Sequence, residues 1–347
     1  MFDADVHIHE QPADLAPFCE EPWRRALAAE NGSERWLDTP GYSPLTPIDP
    51  PLGNRPEEDV YVVGTADQLR ADLDRRGIEA ALLITDRFIG LAQASDDDYA
   101  VSVAGAYNRY LRERWLDPVR GLHGAILLPP QDGAAAAGEI EAHAGQPGVA
   151  AGLLSTVNVS PLWGSRERDR IFAAAQAHDL PLVLHGATTY GNVFPYQLQL
   201  FESPLARGAL SQPLGAIANV VDMVTTGVFA RHPRLRVLVC EAGLAWLPLV
   251  CTRLDGQWRH LRASAPELAE RPSDYLRRQL WVTTHPAGDL APGELGRLID
   301  WIGAERVLFA SDWPHFDRDE PTEVAAGLPP AVRDAVMGGN ARALLAS

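Results

Sequence analysis

Short apolar runs recur along this chain. Between them lie stretches whose apolar residues return every three or four positions. The runs fall at 2–9, 80–84, 123–128, 149–154, 182–185, 235–240, 280–284 and 307–310. They are too short for buried helices and show little polar alternation, which is the pattern of strands covered on both faces. The segments 66–76, 95–115, 133–144, 167–178, 216–230, 246–261, 292–302 and 330–345 read as helices. In the first of these Leu69 and Leu73 share a face, Thr65 is placed to cap the start and Gly77 to end it.

Apolar strands alternating with helices in this number predict an α/β fold, a (β/α)8 TIM barrel formed as one domain over residues 1–347. A doubly wound open sheet is the alternative, but no Gly-x-Gly-x-x-Gly follows the first run. Two segments break the rhythm. Residues 10–65 are rich in Pro, Gly and Trp, and 186–215 carries few regular signals. Irregular segments of such length are usually functional, so both are expected to distort the barrel and cover its C-terminal face. Their aromatics, Trp36, Tyr42, Tyr190, Phe194 and Tyr196, point to a cyclic or apolar small-molecule substrate or, equally, to a homodimer interface.

In a barrel of this kind the site lies at the C-terminal strand ends. The first run ends in Asp5-Val6-His7-Ile8-His9, whose two imidazoles project from one side of a strand. The fifth ends in His185, the sixth in Glu241, the seventh in His285 and the eighth in Ser311-Asp312-Trp313-Pro314-His315. His7, His9, His185 and Asp312 make a suitable shell for one divalent ion, zinc first, with manganese or iron as alternatives. Asp312 ligates or takes a proton from bound water. Glu241 is the separate acid or base, unless it ligates or pairs with an arginine. His285 is a substrate contact or a satisfied loop histidine. His315 is a substrate contact, sits behind the ligands or caps the last loop. Arg87, just past the second run, holds a substrate carboxylate or pairs with Asp86. His123 lies at the opposite end of the barrel and reads as structural, while His143, His178, His232 and His260 read as surface residues.

Composition narrows the chemistry. All 30 basic residues are arginine, so Schiff-base, P-loop and carbamylated-lysine chemistry are excluded. A formal net charge of −16 without basic runs argues against nucleic-acid and anionic-membrane surfaces. Cys19, Cys240 and Cys251 form no CxxC pair, and no signal peptide or spanning apolar run is evident, so a cytoplasmic protein is expected.

Asp-x-His-x-His, Leu184-His185-Gly186 and Phe309-Ala310-Ser311-Asp312-Trp313-Pro314-His315 together resemble the amidohydrolase superfamily, in its aminocarboxymuconate-semialdehyde decarboxylase-like branch. Ala106-Tyr107-Asn108-Arg109 and Gly338-Gly339-Asn340-Ala341-Arg342 also resemble recurring segments of that branch. The resemblance implies a distorted TIM barrel with one divalent metal, His7, His9 and His185 at ligand positions and Asp312 as the strand-eight aspartate. It also implies a histidine at the strand-six end of decarboxylases, where this chain has Glu241. The bridging residue of binuclear members is missing at Leu154-Ser155, which supports one ion.

The function expected first is a metal-dependent hydrolase that directs an activated water at an amide, lactone, ester or C–C carbonyl. The alternative is a non-oxidative decarboxylase of an aromatic or unsaturated acid. A metal-binding barrel without turnover is the reading from another class.

Overall fold

A computed structural model describes residues 1–29, 63–156, 159–186, 203–315 and 317–345. Its strands are β1 Phe2–Ile8, β2 Ala80–Thr85, β3 Leu122–Leu127, β4 Val149–Ser155, β5 Leu182–His185, β6 Val237–Val239, β7 Leu280–Thr283 and β8 Val307–Leu308. All pair in parallel and in chain order. Three backbone bonds draw β1 to the end of β8: Ala4 N–H to the Phe309 carbonyl (2.9 Å), Asp312 N–H to Asp5 (3.1 Å) and His7 N–H to Trp313 (2.7 Å). The result is the nearly closed (β/α)8 barrel that the apolar rhythm predicts.

The apolar runs lack alternation because both faces of each strand are covered. Leu83, Leu127, Leu153, Val183, Leu238 and Leu308 are buried in one core cluster. Leu154, Leu184, Val239, Val282 and Val307 belong to a second, with Phe172, Val220 and Met223 of the surrounding helices. β1 departs from this pattern. Phe2, Ala4, Val6 and Ile8 are apolar, but the alternate positions Asp3, Asp5 and His7 are polar and no more than 1% exposed.

Asp3 secures the seam. Its carboxylate accepts from Ser311 N–H (3.0 Å), Ser311 Oγ (2.5 Å) and Asp5 N–H (3.2 Å). Burial still pushes its carboxyl up to about 7, against those hydrogen bonds.

Thr65 caps the helix Ala66–Arg75 through Gln68 N–H (3.2 Å), as expected. Elsewhere the helices differ from expectation. The segment before 216 is helical: one helix runs Pro204–Thr225, and Val228–Arg231 is a separate turn. Pro213 and the nearby glycines hide that start from a pattern reading, because proline removes a backbone donor. A helix at Pro272–Gln279 was also not anticipated. His143 and His232 are buried, not surface residues. Each is paired, His143 Nε2 with Glu139 (3.3 Å) and His232 Nε2 with Asp169 (3.0 Å). Among the described residues no helix is long and apolar enough to cross a membrane. Trp36, Tyr42, Tyr190, Phe194 and Tyr196 lie outside the described residues.

Replacing Asp3 by Ala leaves the buried donors of Ser311 and Asp5 without their acceptor. The expected loss is about 3 kcal/mol of stability, read from the midpoint of denaturant unfolding. An unchanged midpoint would show that the seam does not rest on Asp3.

Candidate metal centre and active site

His7 and His185 are oriented the same way by the backbone. His7 Nδ1 donates to the Thr85 carbonyl (3.3 Å) and His185 Nδ1 to the Gly186 carbonyl (2.5 Å). In the neutral ring, donation from Nδ1 leaves a bare lone pair on Nε2. Both Nε2 atoms face Asp5, at 3.3 Å from Oδ1 and 3.2 Å from Oδ2 respectively. Asp312 enters from the other side of the seam, with Oδ1 3.2 Å from His7 Nε2. Glu241 Oε2 lies 3.4 Å from His185 Nε2.

These groups are close but do not satisfy one another. Among the described residues, both Asp5 oxygens and the Nε2 atoms of His7 and His185 are buried without a hydrogen-bond partner, as is Asp312 Oδ2, which turns toward His285. Buried polar atoms are nearly always paired. Bare imidazole nitrogens converging with orphaned carboxylate oxygens are a donor set that a divalent ion satisfies. Asp5, His7 and His185 place one ligand atom each within 4.8 Å of one another, and so do His7, Glu241 and Asp312. The residues present therefore fit a metal.

The electrostatics run in the same direction. Burial opposes ionisation of Asp5, but His185 and His7 overcome it and hold its carboxyl well below the usual range. Asp312 is held low in the same way, mainly by His315 against burial. Burial and the nearby His315 disfavour a proton on His7, yet Asp312 and Asp5 push it up to about 10. The cluster thus attracts positive charge, whether protons or a cation. Glu241 differs: burial and then Asp312 push it up to about 7.

Glu241 and Asp312 also share a backbone feature. Their φ values are 54° and 61°, left-handed positions that non-glycine residues seldom occupy. Such strain persists where the surrounding fold enforces it, commonly at functional sites. Glu241 is held by Gln212 Nε2 donating to Oε1 (2.8 Å) and by its own N–H donating to Thr283 Oγ1 (3.3 Å). Gly186 makes room for Gln212, since a Cβ there would lie 1.8 Å from Gln212 Oε1.

The other expected residues stand around this core. His9 is farther out, and its Nδ1 accepts from Val63 N–H (3.5 Å). A neutral His9 then carries its proton on Nε2, unlike His7 and His185. His9 is in none of the groups of converging ligand atoms found among the described residues. His315 bridges Asp312 Oδ1 (2.8 Å) and Asp86 Oδ1 (3.2 Å). His285 Nδ1 is held by Asp319 (3.1 Å), and its Nε2 lies 3.6 Å from Asp312 Oδ2. Arg87 donates its backbone N–H to Glu10 (3.1 Å), while its Nη1 is buried with no partner among the described residues. Its positive charge disfavours protonation of His9 beside it, after burial and His315.

Sequence reasoning assigned no role to Asp5, Gln212 or Asp319, and gave Asp86 only as an ion-pair partner of Arg87. Asp5 carried a signal, because it stands two positions before His7 on the same strand face. The other three sit in loops or helices, and only the folded chain brings them to the mouth.

Fold and cluster place the protein in the class of barrel enzymes with a polar centre at the C-terminal mouth. The chain belongs to the amidohydrolase family, whose model matches residues 4–346. A gamma-resorcylate decarboxylase of Rhodococcus jostii (strain RHA1) is 26% identical over 257 residues, 70% of this chain and 75% of that protein. The 5-carboxyvanillate decarboxylase of Sphingomonas paucimobilis superposes with a TM-score of 0.73 at 21% identity, covering 100% of this chain and 98% of that one. A dihydroxybenzoic acid decarboxylase of Polaromonas sp. JS666, solved with manganese and the inhibitor 2-nitroresorcinol, gives 0.70 at 19% identity over 99% and 96%. The protein is an enzyme, a hydrolase or a carboxy-lyase.

Metal analysis of purified variants tests the shell. His7→Ala and Asp5→Ala should each lower metal affinity by about 10-fold or more, and His9→Ala by less. An equal loss in His9→Ala would return His9 to the shell. Gly186→Ala should keep the fold and the metal, because Gln212 can swing aside, yet lower turnover by freeing Glu241. Unchanged turnover would show that Gln212 does not position Glu241.

Proposed function

We propose that the protein is a metal-dependent carboxy-lyase that removes the carboxylate of an aromatic acid without oxidation. The supporting observation is its likeness, over 70% of the chain, to a decarboxylase of an aromatic acid. Within the site, Arg87 Nη1, buried and without a partner among the described residues, fits the role of carboxylate clamp.

In this reading His7, His185 and Asp312 hold the ion, with Asp5 completing the shell. The donor set suits zinc, the ion expected from the sequence, and equally manganese, which the Polaromonas neighbour carries. When bound, the ion supplies Lewis-acid charge to oxygen atoms of the substrate. The chain's own groups do the rest. Arg87 orients the carboxylate at the mouth. Replacing C–CO2⁻ by C–H consumes one proton at the ring carbon as carbon dioxide leaves. Glu241, pushed up to about 7 by burial and Asp312, retains a proton near neutral pH and is placed to deliver it. Gln212 fixes the carboxyl that gives the proton up.

Hydrolysis is the second reading, and one observation favours it. The strand-six end carries Glu241, where the family resemblance implies histidine in decarboxylases. In that chemistry Asp312 would be the base for water and Glu241 the proton shuttle to the leaving group.

The two readings separate on product. Manganese-loaded protein incubated with hydroxybenzoic acids, gamma-resorcylate and 5-carboxyvanillate among them, should release carbon dioxide. Turnover of lactones, esters or amides without carbon dioxide release would transfer the assignment to hydrolysis. Arg87→Ala should raise KM by about 30-fold, the loss of one charge-assisted contact. Glu241→Gln should lower kcat by about 100-fold with metal content unchanged. Metal loss in that variant would make Glu241 a ligand instead.

A further inference from the structure

We propose that a second, more weakly held divalent cation binds beside the first, between His285, Asp312 and Asp317. The proposal rests on the metal-site reading above, because it uses Asp312 as the shared ligand.

The two oxygens of Asp312 face different partners. Oδ1 lies 3.2 Å from His7 Nε2, on the side of β1, and accepts from His315 Nδ1 at 2.8 Å. Oδ2 lies 3.6 Å from His285 Nε2, on the side of β7. Asp312 has no solvent exposure, and Oδ2 has no hydrogen-bond partner among the described residues. His285, Asp312 and Asp317 each bring one ligand atom within 4.8 Å of the others. A carboxylate with one oxygen turned to each of two imidazoles is arranged to bridge two ions.

His285 is built as a ligand. It is 1% exposed, and its Nδ1 is held by Asp319 Oδ2 at 3.1 Å. Asp319 is itself fixed by N–H donors of Ala287 (2.7 Å) and Gly288 (2.8 Å). A carboxylate behind an imidazole sets the ring and turns Nε2 toward the cation, the arrangement found behind metal-bound histidines. Asp317 is exposed and opens the site to solvent.

The mouth is rich in carboxylates. Asp5, Asp86, Glu241, Asp312, Asp317 and Asp319 all approach the imidazoles of this mouth. Two carboxylates, one imidazole and open water positions favour manganese or magnesium over a softer ion. The position also differs from a strand-four bridge, since β4 ends at Leu154 and Ser155, which offer none.

The alternative is that a protonated His285 alone offsets Asp312. Mn2+ binding to the full-length protein decides between them, measured by equilibrium dialysis with metal analysis and by electron paramagnetic resonance. The expected result is about two Mn2+ per chain at saturation, the second weaker, with exchange coupling from ions about 4 Å apart. Asp317→Asn should retain about one and lose the coupling. About one ion in the unaltered protein, with an uncoupled spectrum, overturns the second site and leaves the first. No binding at all overturns both. Coupling that survives in Asp317→Asn and in Asp317→Ala removes Asp317 from the site and overturns the proposal as stated.

Discussion

The seam between β1 and β8 joins positions that are some three hundred residues apart in the chain. Backbone bonds from Ala4, His7 and Asp312 cross it, and Asp3 grips Ser311 beneath them. Asp5 and His7 can meet Asp312 only if this seam closes in one register. A slip of one residue would turn Asp5 and His7 toward the helices and Val6 toward the axis. The polar face of β1 would then be buried among apolar helix residues, at a cost of several kcal/mol for each unpaired polar group. The register is therefore set by the same residues that form the site.

The cluster so assembled carries a standing cost. Carboxylates and imidazoles sit where water is excluded, and several of their atoms have no hydrogen-bond partner among the described residues. Apolar residues of similar volume would stabilise the barrel more. The strand ends are also strained at Glu241 and Asp312. A fold tolerates both when the surrounding scaffold dictates them, and here β5 to β8 and the Gln212 helix do so. A bound cation relieves the first cost directly, because it supplies the charge that the orphaned oxygens and nitrogens lack.

How much of this was legible in the sequence depended on whether local pattern or long-range contact decided the outcome. The strands were readable because burial on both faces leaves unbroken apolar runs. His7, His185, Glu241 and Asp312 were readable because strand ends can be counted, and a barrel places its site there. The helix at Pro204–Thr225 was obscured by its own proline. Asp86, Gln212 and Asp319 were not readable, since their roles arise from contacts across large sequence separations. His143 and His232 misled for a related reason. A histidine on a helix looks like surface until the acid that pairs with it is found, and for His232 that acid, Asp169, lies on a different helix.

The same metal shell serves hydrolysis and decarboxylation, so the groups around the shell decide the reaction. Hydrolysis needs a base directed at water and an acid directed at a leaving group. Decarboxylation needs a cation for the departing carboxylate and an acid directed at carbon. Asp312, held anionic by the imidazoles around it, suits the base in the first scheme. Arg87 has no evident task in that scheme and a clear one in the second. Its Nη1 is buried without a partner among the described residues, and its backbone is fastened to Glu10. A buried guanidinium nitrogen without a partner costs stability unless an anion arrives to meet it. That asymmetry favours a substrate that brings its own carboxylate, and with it the carboxy-lyase.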